Sequence, residues 1–374
     1  GSRTASGLPI LAGDPHRGIE FPNVYHQCHL RCDTFDAIGL AFPGVPGFPH
    51  FGHNERVAWC ITHGMADDTD VFVERDPATV EGTETVVVRG AEPVVVTRAR
   101  TPRGPVILGQ PESGQPVLSM MWTGFFAPDT TFNCLWPMLR ATSVDELEDA
   151  NRQWALPVNN LLSADVAGTI SFHLRGHVVE RPAANRWTPV PGDDDHDWAG
   201  LAPVAFEDLH QWRNPERGFL VTANNRIGDR GPYVSLDFAG PARHDRIVEL
   251  LSALPAARVA DMAAIHGDVR SLRAPVVVAR LLLGRPETGA GQAAAALLRG
   301  WDHEVTGEAA GALVYAVARR RWSDEVGRRL GVVGAGLGGE GWTPALYASR
   351  MLFDGAGVLL RGQGWQELPG LAST

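Results

Sequence analysis

Three aspartates fall within four residues, at Asp67, Asp68 and Asp70, and two amides stand side by side at Asn224 and Asn225. Carboxylates at that spacing are hard oxygen donors on one short link, and a backbone carbonyl at Thr69 can join them, which suits calcium. The twelve-residue loop and closing Glu of an EF-hand are missing. The same acidic link also reads as a solvated hairpin turn. Amide side chains donate hydrogen bonds without changing charge, which suits an oxyanion hole; an Asx turn explains them equally well. Imidazoles at His26 and His29, at His50 and His53, and at His63 raise a metal hydrolase as a rival. Zincin chemistry needs HExxH on a helix, and neither His pair has it. His16 sits where an apolar run gives way to a loop, a place for a cleft-facing or a simply solvated side chain. The chain has no G-x-S-x-G elbow and no GxxxxGK[ST] phosphate loop.

The acidic link needs strands on both sides. Val57, Trp59 and Ile61 alternate before it, and Val71 and Val73 flank Phe72 after it. Residues 52–75 therefore predict a tight turn, a buried strand, the acidic turn and a second strand. Upstream, residues 1–7 predict a strand leading into a turn and residues 8–12 a short apolar strand. Residues 25–31 alternate weakly, residues 35–40 follow, and the Pro/Gly/Phe run at 42–49 reads as a rigid loop. Residues 85–88, 93–97 and 117–122 read as further strands. Ser143-Val144-Asp145-Glu146 is a capping box, opening a helix from Val144 to about Trp154 that Pro157 stops. Residues 159–172 read as two strands about a turn, 181–198 as an irregular acidic loop, and 218–226 as a strand ending in the two Asn. From Arg243 onward the spacing turns helical, over 244–254, 258–265, 275–283, 290–301, 309–330 and 344–352.

Composition bounds the function classes. The 374 residues are 44% hydrophobic and 20% charged, ordinary for a packed protein. A formal net charge of −10 without a Lys/Arg run argues against nucleic acid as a partner. No apolar stretch reaches the roughly 20 residues that span a bilayer. Cys28, Cys32, Cys60 and Cys134 allow one or two disulfides or four buried free thiols, and no CxxC pair is present. A β-rich first part (1–242) and a helical last part (243–374), without a clean linker, read as one structural unit.

Taken in order, the segments resemble the penicillin acylase family of N-terminal nucleophile hydrolases. The opening Gly1-Ser2-Arg3-Thr4-Ala5-Ser6-Gly7 with Pro9-Ile10-Leu11-Ala12 and Asp14-Pro15-His16 is similar to the family's segment just after its nucleophile. Pro43-Gly44-Val45-Pro46, Phe51-Gly52-His53-Asn54 and Trp59-x-x-Thr62 resemble its central hairpin, and residues 67–74 its calcium-binding stretch. Pro189-Val190-Pro191-Gly192, Trp198-x-Gly200-Leu201, residues 221–226, Arg243 and Arg246-Ile247 complete the series, which covers residues 1–254.

The resemblance implies an α+β fold with a four-layer αββα core, here joined by a helical C-terminal layer or lobe. It implies an amidohydrolase that deacylates an N-acylated small molecule of the β-lactam, acyl-homoserine lactone or lipopeptide class. An N-terminal Ser, its own α-amino group acting as base, forms an acyl-enzyme that water then releases. His63 through its backbone N–H and Asn224 through its amide would hold the oxyanion. His16 would orient or activate the nucleophile, and Arg243 would fix Asn224 and the amino terminus. Asp67, Asp70, Asp237 and the Thr69 carbonyl would hold a structural calcium, with Arg186 as a weaker carbonyl donor; no organic cofactor is expected. The nucleophile and an α-chain from the same precursor would lie upstream of Gly1, so the chain reads as a β-chain fragment, short at both ends and inactive alone. Secretion or a periplasmic place is the family norm. A calcium-stabilised binding protein without activity is the alternative outside enzymes.

Overall fold

The computed structural model describes residues 1–16, 21–125, 129–186, 188–228 and 230–329. The expected helix over 344–352 lies outside them. The chain divides into two compact units, Gly1–Phe238 with Pro255–Arg258, and Ala239–Leu254 with the residues from Val259.

Two sheets build the first unit. The first contains β1 (His26–Cys32), β2 (Phe35–Ala41), β3 (Phe51–Asn54), β4 (Val57–His63), β10 (Asn159–Asp165), β11 (Ile170–Arg175) and β13 (Gln211–Arg213), in the order β1-β2-β3-β4-β10-β11-β13. The second contains β5 (Thr69–Glu74), β6 (Thr79–Val86), β7 (Val94–Thr101), β8 (Gly104–Leu108), β9 (Val117–Trp122) and β12 (Val190–Pro191), in the order β12-β5-β9-β8-β7-β6. Among the described strand pairs, β12–β5 alone runs parallel. The acidic link thus joins a central strand of one sheet to a strand of the other.

Alternation decides which face of the first sheet is covered. Val57 and Trp59 turn to helices α1 (Phe132–Arg140) and α2 (Val144–Ala150), where they pack with Leu135, Met138, Leu139 and Leu147. Trp59 is 1% exposed, and its indole N–H donates to the Phe48 carbonyl at 2.7 Å. Gly52 lets that ring approach: a Cβ there would stand 2.6 Å from it. Helix α1, which carries Pro137 inside it, is not among the expected elements. Its apolar spacing at 134, 135, 138 and 139 is nonetheless helical.

The second unit is helical: α3 (Ala242–Ala253), α4 (Val259–His266), α5 (Ala274–Leu281), α6 (Gly289–Arg299) and α7 (Ala310–Arg329). Its core holds Val277, Val278, Leu298, Trp301 and Tyr315. Thr288 caps α6 by accepting from the Gly291 N–H.

Several expectations need correction. Residues 1–7 form turns with one bridge, Thr4 to Ala257, and residues 8–12 join no ladder. Helix α2 ends at Ala150, since the Asn151 side chain donates to the Leu147 carbonyl and takes over the last turn. In the capping box Ser143 accepts from the Glu146 N–H, but Glu146 reaches back to Thr142 rather than Ser143. Residues 218–226 form no strand; side-chain bonds replace a ladder there. All four cysteines are free, with Cys32 exposed and Cys28 half-buried. Cys28 and Cys32 share one face of β1 about 13 Å apart, beyond disulfide reach.

Candidate active site

Strand β4 ends at His63, where several polar groups converge. The Gly64 N–H donates to the Val158 carbonyl at 3.0 Å. Antiparallel alternation then makes His63 and Asn159 a non-hydrogen-bonded pair, with the His63 N–H turned away from β10. On the other side, β3 pairs with β4 at Ala58 and Trp59 and stops short of His63. The His63 carbonyl accepts from the Asn224 amide at 3.0 Å and from the Asn160 amide at 3.3 Å. Its ring Nδ1 accepts from the Met65 N–H at 3.0 Å, which leaves the proton on Nε2. Backbone geometry on both sides is unusual: Met65 has φ +56° and Asn224 φ +60°. Asn is among the few side chains that enter this region readily. The Asn225 side chain accepts from the Ala223 N–H at 2.9 Å and tightens the bend that presents Asn224.

Three further residues belong to this cluster and were not expected from sequence. The Thr62 hydroxyl accepts from Asn160 at 2.9 Å and donates to the Thr222 hydroxyl at 3.0 Å. These bonds tie the 222–225 bend to β4 and β10. Asn160 is 1% exposed, and its side-chain oxygen has no hydrogen-bond partner. A signal was available: two adjacent Asn running into Leu161 and Leu162 are costly to bury unless their amides are used.

The other expected residues are placed as follows. His16 is exposed, with Nε2 3.7 Å from the Asp14 carboxylate. Arg243 lies in the first turn of α3, in the second unit. Two imidazoles of the rival metal reading, the buried His50 and the exposed His29, have side-chain partners of their own. His50 bonds the Tyr25 hydroxyl at 2.9 Å and His29 contacts Asp36 at 2.5 Å. Among the described residues, no three His, Cys, Asp or Glu side chains converge as a metal site.

The acidic link is built differently from its sequence. The Arg181 guanidinium, fully buried, lies between Asp67 and Asp70. Its Nη2 is 2.6 Å from Asp67 Oδ2, its Nε 3.5 Å from Asp70 Oδ1, and its Nη1 donates to the Asp67 carbonyl at 2.7 Å. The two carboxylate approaches are ion contacts; only the carbonyl bond is a directed hydrogen bond. Tyr233 donates to Asp67 Oδ2 at 2.9 Å, while Asn185 and Trp198 donate to Asp70 Oδ2 at 2.7 and 2.6 Å. Burial pushes the Asp67 carboxyl up, against the pull of Arg181 and Tyr233. Asp68 instead accepts from Thr69 and Trp122. The backbone N–H of Asp237 bonds Ser235. Arg186 stacks its guanidinium 3.8 Å from the centre of the Tyr233 ring. As these side chains stand, the donor set does not fit calcium: a cationic group already fills the space between the two carboxylates.

Comparison with known proteins places this architecture. A profile of the penicillin amidase family matches residues 1–360. Penicillin acylase 2 proenzyme of Pseudomonas sp. (strain SE83) is 38% identical across 98% of this chain and 50% of its own length. The acyl-homoserine lactone acylase QuiP of Pseudomonas fluorescens (strain Pf0-1) is 27% identical across 66% of this chain and 32% of its own. The chain thus spans about half or less of the length of these curated relatives. The solved thermostable penicillin G acylase from Alcaligenes faecalis superposes with a TM-score of 0.70 at 18% identity, covering 99% of this chain and 78% of that one. That likeness shows an α+β fold shared with that acylase. On the extent of the profile match, the chain belongs to the penicillin amidase family.

Proposed function

We propose that this chain is the larger part of the catalytic core of an amidohydrolase that removes the acyl group from an N-acylated small molecule. The β-lactam, acyl-homoserine lactone and lipopeptide classes are the substrates in view; the relatives named above act on the first two by their names. The observation that carries the reading is the Asn224 amide set against His63 at the end of β4. An amide nitrogen has two hydrogens. One bonds the His63 carbonyl, which orients the group, and the proposal assigns the other to the developing oxyanion. The His63 N–H, turned away from β10, supplies the second oxyanion donor. Thr62, Asn160 and Thr222 hold these donors in place before substrate arrives, so little reorganisation remains for the transition state.

The nucleophile in this reading is a Ser that becomes amino-terminal when a precursor cleaves itself, with its α-amino group as the base. His16 orients it. The partner is the α-chain cut from the same precursor, and the compartment is periplasmic or extracellular. One relative's description as a proenzyme supports the processing step.

The test is intact-mass analysis of the complete gene product beside a Ser→Ala change at the proposed junction, followed by a panel of acyl-amides. Two chains in the parent, one in the variant, and acid release from at least one amide are expected. A single chain in both, with no hydrolysis, would refute the reading and favour a binding protein.

A further inference from the structure

We propose that Arg181 is a built-in replacement for a structural cation, and that the Asp67–Asp70 site takes no divalent ion. The carboxylates here have the spacing and setting of a metal site, on the strand junction that joins the two sheets. What surrounds them is the reverse of a metal site. Three hydrogen bonds and two ion contacts reach the two carboxylates: the Tyr233 hydroxyl donates to Asp67 Oδ2, the Asn185 amide and the Trp198 indole donate to Asp70 Oδ2, and Arg181 sets Nη2 beside Asp67 Oδ2 and Nε beside Asp70 Oδ1, which accepts no hydrogen bond from the described residues. A metal ion would have to displace the guanidinium that already lies between the two carboxylates.

Charge carries the point further. The guanidinium of Arg181 is fully buried and lies 5.0 Å from the centre of the Trp198 ring. A guanidinium cannot give up its charge in a protein, so it stays cationic where an ammonium or imidazole could neutralise. A divalent ion entering between Asp67 and Asp70 would meet that positive charge a few ångströms away, with Arg186 behind Tyr233 adding another. Removing one partner from a buried ion pair leaves uncompensated charge and is strongly destabilising. Arg181 therefore sits in place of the ion: it neutralises the link, and its Nη1 bond to the Asp67 carbonyl fixes the backbone where β4 passes to β5.

The experiment uses the complete gene product and calcium chloride as the probe. Protein stripped with a chelator is melted with and without millimolar calcium, and calcium is titrated calorimetrically. Wild type is expected to shift by less than about 1 °C and to give no saturable heat from this site. An occupied calcium site at a hundredfold excess over its dissociation constant would raise the melt by about 5–10 °C for a unit of this size. Such a rise in wild type, abolished by Asp70→Asn, overturns the proposal. A rise that survives Asp70→Asn places the ion elsewhere and leaves the proposal standing. Arg181→Met then removes the internal cation. Its melt is expected to fall by about 10 °C, with calcium restoring part of that loss only while Asp70 is present. An unchanged melt in Arg181→Met would show that the guanidinium does not neutralise the pair, which also overturns it. If the variant does not fold, the wild-type measurements decide alone. None of these readouts depends on catalysis.

Discussion

Asn54 belongs to the Phe51-Gly52-His53-Asn54 motif, yet its contacts give it a structural task that can be measured. Its amide nitrogen donates to the carbonyls of Leu139 and Ala141 at 3.1 and 2.8 Å, at the end of α1. Its oxygen accepts from the N–H groups of Arg56 and Val57 at 2.8 and 2.9 Å, inside the β3–β4 turn. One side chain thus closes the hairpin and ties it to the helix that covers the sheet. Asn54→Ala deletes all four bonds. Arg56 is exposed, so water replaces its bond at a cost of ~0.5 kcal/mol. Val57, Leu139 and Ala141 are buried, so each loses ~1 kcal/mol when its polar group goes unmatched. The sum is about 3.5 kcal/mol, or a fall of about 7–14 °C in the melt of a unit this size.

Two companions sharpen the test. Asn54→Asp keeps the two bonds inside the turn but sets a carboxylate oxygen against the Leu139 and Ala141 carbonyls, so its loss should equal or exceed that of Asn54→Ala. His53→Ala alters an exposed ring bonded only at 3.3 Å to the Asn54 carbonyl, and should stay within ~0.5 kcal/mol. The assay is thermal unfolding followed by far-ultraviolet circular dichroism. Stability in Asn54→Asp equal to wild type would show that the bonds to α1 carry nothing. A loss in His53→Ala as large as in Asn54→Ala would show that the motif acts through its chain direction rather than through this side chain.

Three shorter predictions follow. Gly52→Ala forces a Cβ to within 2.6 Å of the Trp59 ring and 2.9 Å of Phe48, so it should cost about 2–3 kcal/mol and alter the near-ultraviolet dichroism of the tryptophans. Burial holds His173 below the usual imidazole range, with its Nε2–H donating to the Phe206 carbonyl at 2.9 Å. Its contribution is fully present above the unfolded value of about 6.5 and is lost as pH falls through the lower folded value, so melts should drop between neutrality and pH ~5; in His173→Gln that part of the pH dependence should vanish. Under the proposed mechanism, Asn224→Ala should lower kcat by about 10²–10³-fold with little change in KM, while the melt moves by no more than the loss of one hydrogen bond, ~1 kcal/mol; a kcat within threefold of wild type sinks the oxyanion assignment.

What the sequence made legible was local, and what it hid depended on distant partners. Strands β4 and β5 could be read because each carries its own alternation, and β10 and β11 because a turn signal separates them. Helix α1 carries a Pro at 137, a residue that argues against a helix interior, and its helical apolar spacing at 134, 135, 138 and 139 shows its purpose only against the sheet it covers. Residues 218–226 look like a strand because Phe219, Leu220 and Val221 form an apolar run. A strand, however, needs a ladder partner, and the bonds that Thr222 and Asn224 make to Thr62 and the His63 carbonyl instead hold a bend with Asn224 at positive φ. The acidic link shows the same division most sharply. Its three aspartates announce a need for positive charge, and that much is written in adjacent residues. Which charge answers the need is set by Arg181, Asn185, Trp198 and Tyr233, none of them near in sequence. Carboxylates alone therefore specify only half of a site. Whether the other half is an ion from solution or a guanidinium from the same chain depends on the donors that folding brings to them, and here those donors already point inward.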